Sequence, residues 1–229
     1  DALLFDIQKT KDLGFNMIRK HVKVEPARWY TYCDRIGLLV WQDMPNGNGR
    51  ENPQWFDTKF FDGKEMIRSP QSEADYRKEW KEIIDYLYSY PSIVVWTTFN
   101  EAWGQFKTAE IAEWTKTYDP SRLVDAASGG NHYRVGDMID IHHYPQPKLT
   151  LFEANTERAT VLGEYGNIKL SLPTNLWEPN RNFGEIQNKN SKDVTNVYVE
   201  YCNILKTLIP MGYSAAVFTQ TTDVENEIN

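Results

Sequence analysis

The sequence has no apolar run that approaches the roughly 20 residues an α-helix needs to cross a bilayer. Its 25 Lys and Arg residues are outnumbered by 32 Asp and Glu, and they are scattered along a chain with a formal net charge of −7. A protein without a basic stripe is poorly suited to bind nucleic acid. We therefore expect neither a membrane nor a nucleic acid among its partners.

Cysteine is scarce as well, and two common catalytic signatures are missing. The two cysteines, Cys33 and Cys202, lie in helical patterns, which predicts buried free thiols rather than a disulfide framework or a metal cluster. No glycine-rich phosphate loop follows a predicted strand, and this argues against a nucleotide-binding open sheet. A Ser or Cys nucleophile elbow is not found either.

What the sequence does contain is a regular alternation of short apolar segments with amphipathic helices. We predict seven strands, at residues 15–22, 38–43, 93–99, 123–127, 138–144, 159–166 and 213–219. Strands separated by helices indicate a parallel sheet with right-handed crossovers. The 229 residues suit one large domain, and seven such units favour an α/β fold, the (β/α)₈ TIM barrel, which typically has about 250 residues.

We expect this barrel to be incomplete, with its first strand and last helix missing, because the chain opens inside a helical pattern. Upstream residues or a second copy of the chain, in a homo-oligomer, would then have to cover the exposed strand edges. The remaining segments are predicted to be two long loops, at residues 46–69 and 170–192, and a weakly patterned helix at 149–155.

Chemistry in such a barrel lies at the C-terminal ends of the strands. Two glutamates, Glu101 and Glu164, stand at the ends of separate strands. A carboxylate at the mouth of a buried strand is costly unless partners are arranged for it, so each is a candidate for chemistry. The other polar residues at strand ends are Arg19, His21, Asp43, Asn100, Asp125, His142, His143, Tyr144, Thr219 and Gln220.

Two carboxylates in polar and aromatic surroundings fit the cleavage of a glycosidic bond. One protonates the leaving oxygen, while the other attacks the sugar or activates water. A separation of about 5–5.5 Å would indicate retention of configuration, and about 6.5–9.5 Å would indicate inversion. Asn100, beside Glu101, could hydrogen-bond a sugar hydroxyl. Tyr144 could donate to Glu164, and Arg19 could lie below it, which would favour the ionised carboxylate.

Histidines allow a weaker alternative, a metal-dependent hydrolase. His142 and His143 must point to opposite faces of a regular strand, so at most one of them faces the site. His21 and His132 lie far apart in sequence, and no metal-ligand spacing recurs. We therefore rank metal catalysis below the reaction with two carboxylates.

Loop tryptophans support a second alternative, a non-catalytic carbohydrate-binding barrel. Trp55, Trp103 and Trp177 fall in predicted loops, where an indole can stack on a sugar ring. Such a protein would keep the pocket and its aromatic residues without turning over a substrate. The presence of both glutamates favours the enzyme.

Taken in order, five motifs resemble those of glycoside hydrolase family 2, whose members include β-galactosidases, β-glucuronidases and β-mannosidases. They lie at residues 14–19 (Gly-Phe-Asn-Met-Ile-Arg), 29–38, 91–101 (ending Asn-Glu), 163–166 (Gly-Glu-Tyr-Gly) and 218–220. The resemblance covers nearly the whole chain. The ordered set is far more specific than any one of its motifs.

The resemblance implies a retaining exo-β-glycosidase with Glu101 as acid/base and Glu164 as nucleophile. It implies that residues 1–229 form the catalytic barrel of a longer chain with β-sandwich domains before it. The Glu and His ligands of the Mg²⁺ site in the family's galactosidases are not matched at residues 42–44, so no metal or other cofactor is expected. The residues expected to bind the carbohydrate substrate are Arg19, His21, Asp43, Asn100, Trp103, His143, Tyr144 and Gln220.

Overall fold

The computed structural model describes residues 2–47, 53–56, 59–150, 157–184 and 186–228. They form two compact units, residues 1–139 with 153–158 and residues 140–152 with 159–229. No helix within these described ranges combines the length and apolarity of a membrane span. All seven predicted strands are present, with ends that shift by a few residues.

Helices and strands alternate from α1 to β4 in the first unit. Four parallel strands form one sheet in the order β1-β2-β3-β4. In chain order the elements are α1 (Ala2–Asp12), β1 (Met17–Lys20), α2 (Ala27–Ile36), β2 (Leu39–Asp43), α3 (Pro70–Leu87), β3 (Ile93–Thr97), α4 (Thr108–Tyr118) and β4 (Leu123–Asp125).

The second unit is built around a sheet with the strand order β5-β6-β9, in which β6 and β9 run parallel. Its elements are β5 (Met138–His142), which begins in the first unit, β6 (Ala159–Gly166), β7 (Ile168–Lys169), β8 (Ile186–Gln187), α5 (Ser191–Leu208), a 3₁₀ turn (Ile209–Met211) and β9 (Tyr213–Thr219). The short β7–β8 pair was not predicted, and β8 lies in a predicted loop. Of the weak helix at 149–155, residues 151–155 fall outside the described ranges, and residues 149 and 150 are not helical.

Local sequence signals account for the helix ends. Ser69 caps α3 by accepting a hydrogen bond from the Ser72 N–H, and Pro70 occupies the first turn, where its missing N–H costs nothing. Gly37 ends α2 at φ 68°, a left-handed conformation that glycine adopts without strain. Between these helices and the sheet, large apolar side chains such as Trp80 and Trp96 are fully buried, with rings that meet edge to face.

One buried ion pair ties the turn after α4 to the start of β3. The Asp119 carboxylate accepts hydrogen bonds from the Trp96 indole and the Arg122 guanidinium. Arg122 also donates to the carbonyls of Ile93 and Tyr88, at 2.8 and 2.7 Å. Burial raises the pKa of Asp119, but its hydrogen bonds and the nearby Arg122 charge outweigh burial and lower it.

We expect Arg122→Met to lower the free energy of unfolding by about 3–5 kcal/mol, because it leaves the buried Asp119 charge without its cation. Denaturant unfolding measures the change. Arg181→Met is a matched control, since the Arg181–Glu178 pair is exposed and 3.8 Å apart, and it should change stability by less than about 1 kcal/mol. Equal effects of the two substitutions would contradict this account.

Candidate active site

The site residues expected from the sequence lie in both units, at or just after strand ends. The first unit contains Arg19, His21, Asp43, Asn100, Glu101 and Trp103. The second contains His143, Tyr144, Glu164 and Gln220.

A buried ion pair joins β1 to β2. The Arg19 Nη2 atom lies 2.7 Å from Asp43 Oδ2, and both side chains are almost fully buried. Arg19 Nε also donates to both carboxylate oxygens, so the guanidinium grips the carboxylate as a fork. His21 Nδ1 lies 3.3 Å from Asp43 Oδ2.

The Asp43 carboxylate is held in its charged form. Burial raises its pKa, but the Arg19 charge and the hydrogen bonds from Arg19 and His21 outweigh burial and lower the pKa to about 2. The Val22 N–H also donates to Asp43 Oδ2, and Val22 reaches that position with φ at 43°, an unusual value for a β-branched residue. Several groups are thus arranged around one carboxylate.

Arg19 orients Asn100 at the same time. Its Nη2 atom donates to Asn100 Oδ1 at 2.9 Å. The amide is thereby turned so that Nδ2 is left as a donor. Asn100 is only 3% exposed, and among the described residues Nδ2 has no hydrogen-bond partner. A buried donor in this state is costly, which makes it a candidate for a ligand contact.

Glu101 follows in a strained backbone conformation. It has φ at 46°, and Ala102 after it has φ at 66°. Two consecutive non-glycine residues in this region are rare, and such strain is concentrated at functional sites. The Glu101 N–H donates to the Ser128 carbonyl at 2.9 Å, which anchors the turn to the segment after β4.

The segment that carries Trp103 is fastened by residues from a predicted loop. Asn46 Nδ2 donates to the Trp103 carbonyl, and Arg68 donates to the Gly104 carbonyl and to Asn46. The Arg68 guanidinium lies 4.4 Å from the centre of the Phe106 ring. Trp103 stays 38% exposed. Sequence reasoning missed Asn46 and Arg68, because a loop without a period gives no sign of what it contacts.

In the second unit, Glu164 lies within β6 and receives the hydrogen bond predicted from Tyr144. Tyr144 Oη lies 2.6 Å from Glu164 Oε2 and 2.9 Å from Thr219 Oγ1. The phenol has one proton, and a carboxylate accepts more strongly than a hydroxyl. Tyr144 therefore donates to Glu164, and Thr219 donates to Tyr144.

The histidine beside Glu164 is His142, whereas the sequence analysis placed His143 in the site. The buried His142 Nδ1 lies 3.4 Å from Glu164 Oε2. His143 Nδ1 lies 2.8 Å from the Gln146 carbonyl. The alternation of side chains along a strand could have predicted this position of His142, because His142 is two residues from Tyr144 and alternate residues share a face.

Gly163 lets its strand approach the buried Asp140 closely. A Cβ atom at Gly163 would overlap the Asp140 carboxylate, so no larger residue fits just before Glu164.

Gln220 follows β9 after a cis peptide bond from Thr219, and its Nε2 lies 3.5 Å from the Glu227 carbonyl.

Residues 42–44, where the sequence analysis expected no metal ligands, are engaged with the protein. Gln42 Oε1 accepts the Tyr30 hydroxyl, and Asp43 is paired with Arg19. These contacts do not test whether the protein needs a metal, so the absence of a required metal stays a prediction.

Comparison with known proteins identifies the family. Residues 1–193 match the family described as "Glycosyl hydrolases family 2, TIM barrel domain". The chain belongs to this family. The predictions of a family 2 glycoside hydrolase and of a TIM barrel fold are thus confirmed, while the roles of the individual residues stay predictions.

Relatives and a solved structure agree with the assignment. The chain is 32% identical over 127 residues to a putative β-glucuronidase of Formosa agariphila, covering 56% of this chain and 11% of that protein. It is 26% identical over 139 residues to a β-galactosidase of Vibrio vulnificus, covering 61% of this chain and 13% of that protein. A solved structure, that of Bacteroides uniformis β-glucuronidase 2 covalently bound to cyclophellitol-6-carboxylate aziridine, has a TM-score of 0.68 to this chain and is 17% identical in sequence. The match covers 100% of this chain and 30% of that one. At this identity, the likeness shows the fold alone. The chain thus spans about an eighth of these two relatives.

The lowered pKa of Asp43 predicts a pH-dependent stability. Such a carboxylate stabilises the fold above its ordinary pKa, and this contribution is lost as the pH falls toward the folded-state pKa of about 2. We expect Asp43→Asn to lower the free energy of unfolding by about 2 kcal/mol at neutral pH. The difference from wild type should shrink from about pH 4 to about pH 2, as measured by urea unfolding. A difference that stays constant over that range would contradict the assignment.

Proposed function

We propose that this chain is the catalytic barrel of a retaining exo-β-glycosidase. It removes a terminal β-linked sugar by double displacement, with Glu101 as acid/base and Glu164 as nucleophile. The protein acts as part of a longer chain whose other domains complete the pocket, in keeping with the small share of its relatives that it spans.

The observation that carries the proposal is the setting of Glu164. A nucleophilic carboxylate must be ionised and aimed at the anomeric carbon. The 2.6 Å hydrogen bond from Tyr144 stabilises the charge on Oε2 and fixes the orientation of the group. Thr219 holds the tyrosine in turn, so the donor itself is positioned.

The reaction then runs in two steps. A Glu164 oxygen forms a bond to the anomeric carbon while the bond to the leaving oxygen breaks, and Glu101 gives that oxygen its proton. In the second step, the Glu101 carboxylate takes a proton from water, whose oxygen displaces Glu164 from the anomeric carbon. Asn100 Nδ2, held by the contact between Arg19 and Oδ1, donates to a sugar hydroxyl beside the reacting carbon.

The sugar is chosen by walls of the pocket that are not all in this chain. The relatives are a β-galactosidase and a putative β-glucuronidase, which makes β-galactosides and β-glucuronides the first substrates to test. A panel of aryl β-glycosides on the full-length protein identifies the sugar. The other proposed sugar contacts come from His21, Asp43, Trp103, His143 and Gln220.

Substitution of each glutamate should have a different effect on the kinetics. We expect Glu164→Gln to lower kcat by at least about 10⁴-fold on every substrate, because no covalent intermediate can form. Glu101→Gln should strongly lower kcat/KM for glycosides with a poor leaving group but spare kcat/KM for activated aryl glycosides, whose leaving group departs without a proton. Their kcat should still fall, because the second step loses its general base. Azide should restore turnover of activated aryl glycosides by Glu101→Gln and yield the β-glycosyl azide, as followed by NMR.

Measurements of sugar binding, metal dependence and product configuration separate the alternatives. A binding barrel would retain sugar affinity and show no turnover even in the wild-type protein. A metal-dependent hydrolase would lose activity on exhaustive chelation and recover it with added metal. A product with inverted configuration would overturn the retaining mechanism.

Tyr144→Phe tests the support of the nucleophile. We expect kcat/KM to fall about 10- to 100-fold, because the charge on Glu164 loses its donor, with little change in the free energy of unfolding. Tyr213→Phe is the matched control in the same unit, since its hydroxyl donates to the Lys148 carbonyl. Steady-state kinetics on one aryl glycoside compares them, and an equal loss in both variants would contradict the role of Tyr144.

A further inference from the structure

The segment after β4 supports more than Glu101. The Ser128 carbonyl accepts the Glu101 N–H, and the Ser128 N–H donates to the Phe99 carbonyl, each at 2.9 Å. Ser128 is fully buried, so this part of the turn is fixed against the segment that follows β3. The next carbonyl along the chain, that of Gly129, accepts a hydrogen bond from the indole Nε1 of Trp55 at 2.8 Å. The proposed proton donor and Trp55 are therefore anchored on consecutive residues.

Trp55 is held against this turn on a second side. A Cβ atom at Gly130 would overlap Trp55 Nε1, so the indole edge lies directly on the backbone. Phe56 and Asn131 form a reciprocal pair, in which the Phe56 N–H donates to Asn131 Oδ1 and the Asn131 N–H donates to the Phe56 carbonyl. Asn131 itself is fully buried. The position of the indole is thus set before any ligand arrives.

Nearly half of this fixed indole remains in contact with solvent. Trp55 is 46% exposed, although its only polar atom is already hydrogen-bonded. An indole whose N–H is satisfied can offer only its flat apolar face, which suits an aromatic ring or the apolar face of a sugar. Because the ring is already immobilised, a ligand that stacks on it has little side-chain entropy to overcome.

We propose that Trp55 is the stacking platform for the leaving group, the part of the substrate that Glu101 protonates. The inference rests on the proposed function and adds a determinant of specificity to it. The leaving group is favoured over the bound sugar because the Trp55 anchor adjoins that of Glu101, while the sugar contact of Asn100 is directed by Arg19. The substrate class is a β-glycoside with an aryl, arylalkyl or sugar leaving group.

The test uses a pair of substrates that differ in the ring alone. Methyl and 2-phenylethyl β-glycosides release alcohols of similar acidity, so their kcat/KM ratio reports contacts of the leaving group rather than its chemistry. In the full-length protein, Trp55→Ala should lower kcat/KM for the 2-phenylethyl glycoside about tenfold and for the methyl glycoside less than twofold. Trp55→Phe, which keeps an aromatic face, should recover most of the loss.

Controls make every outcome decisive. Trp177→Ala removes a loop indole that is 76% exposed in the second unit, and it should leave the ratio unchanged. If Trp55→Ala does not fold, Trp55→Leu replaces it with the same expected loss, since leucine keeps apolar volume without a flat ring. An unchanged ratio, or an equal loss on both substrates, would overturn the role of Trp55. Failure of the wild-type protein to cleave any β-glycoside would instead overturn the proposed function.

Discussion

The bidentate contact of Arg19 with Asp43 is the interaction on which the candidate site residues of the first unit depend. Both groups are buried, and such a pair costs more to desolvate than its attraction returns unless every donor and acceptor is used. Here Arg19 binds Asp43 and Asn100 together, so one guanidinium fixes the relation of three strands. Val22 adopts a strained, positive φ, and in this conformation its N–H donates to the same carboxylate. For the site, the result of the Arg19 contacts is a single orientation of Asn100.

The two glutamates lie on different kinds of backbone. Glu164 lies in β6, beside a shift in the register of its pairing with β9, and receives a side-chain hydrogen bond from Tyr144, which favours a fixed, ionised group. Glu101 lies on a left-handed turn, and its main-chain N–H donates to the Ser128 carbonyl. In each case a hydrogen bond limits the positions that the proposed catalytic residue can take, which favours a pre-organised group.

The fold was largely predictable from sequence because most of its strands are short apolar segments between amphipathic helices. The β7–β8 pair was not, since two-residue strands such as β8 (Ile186–Gln187) carry no hydrophobic pattern. In the site, strand-end position identified Glu164 and Tyr144, whose hydrogen bond is observed. It did not show that His142 lies beside Glu164, because that depends on the phase of the strand. The contacts of Asn46 and Arg68 could not be predicted, because they join segments far apart in an irregular loop.

Two glycines allow other groups to lie close to the backbone beside the proposed catalytic residues. The Asp140 carboxylate leaves no room for a Cβ atom at Gly163, and the Trp55 indole leaves none at Gly130. In both places a polar or aromatic group lies directly on the backbone beside a proposed catalytic segment. Each of these contacts limits movement, because the group lies against main chain, which has no rotamers to change. Rigidity of this kind lowers the reorganisation needed when charge develops on the substrate, which is where electrostatic catalysis has its largest effect.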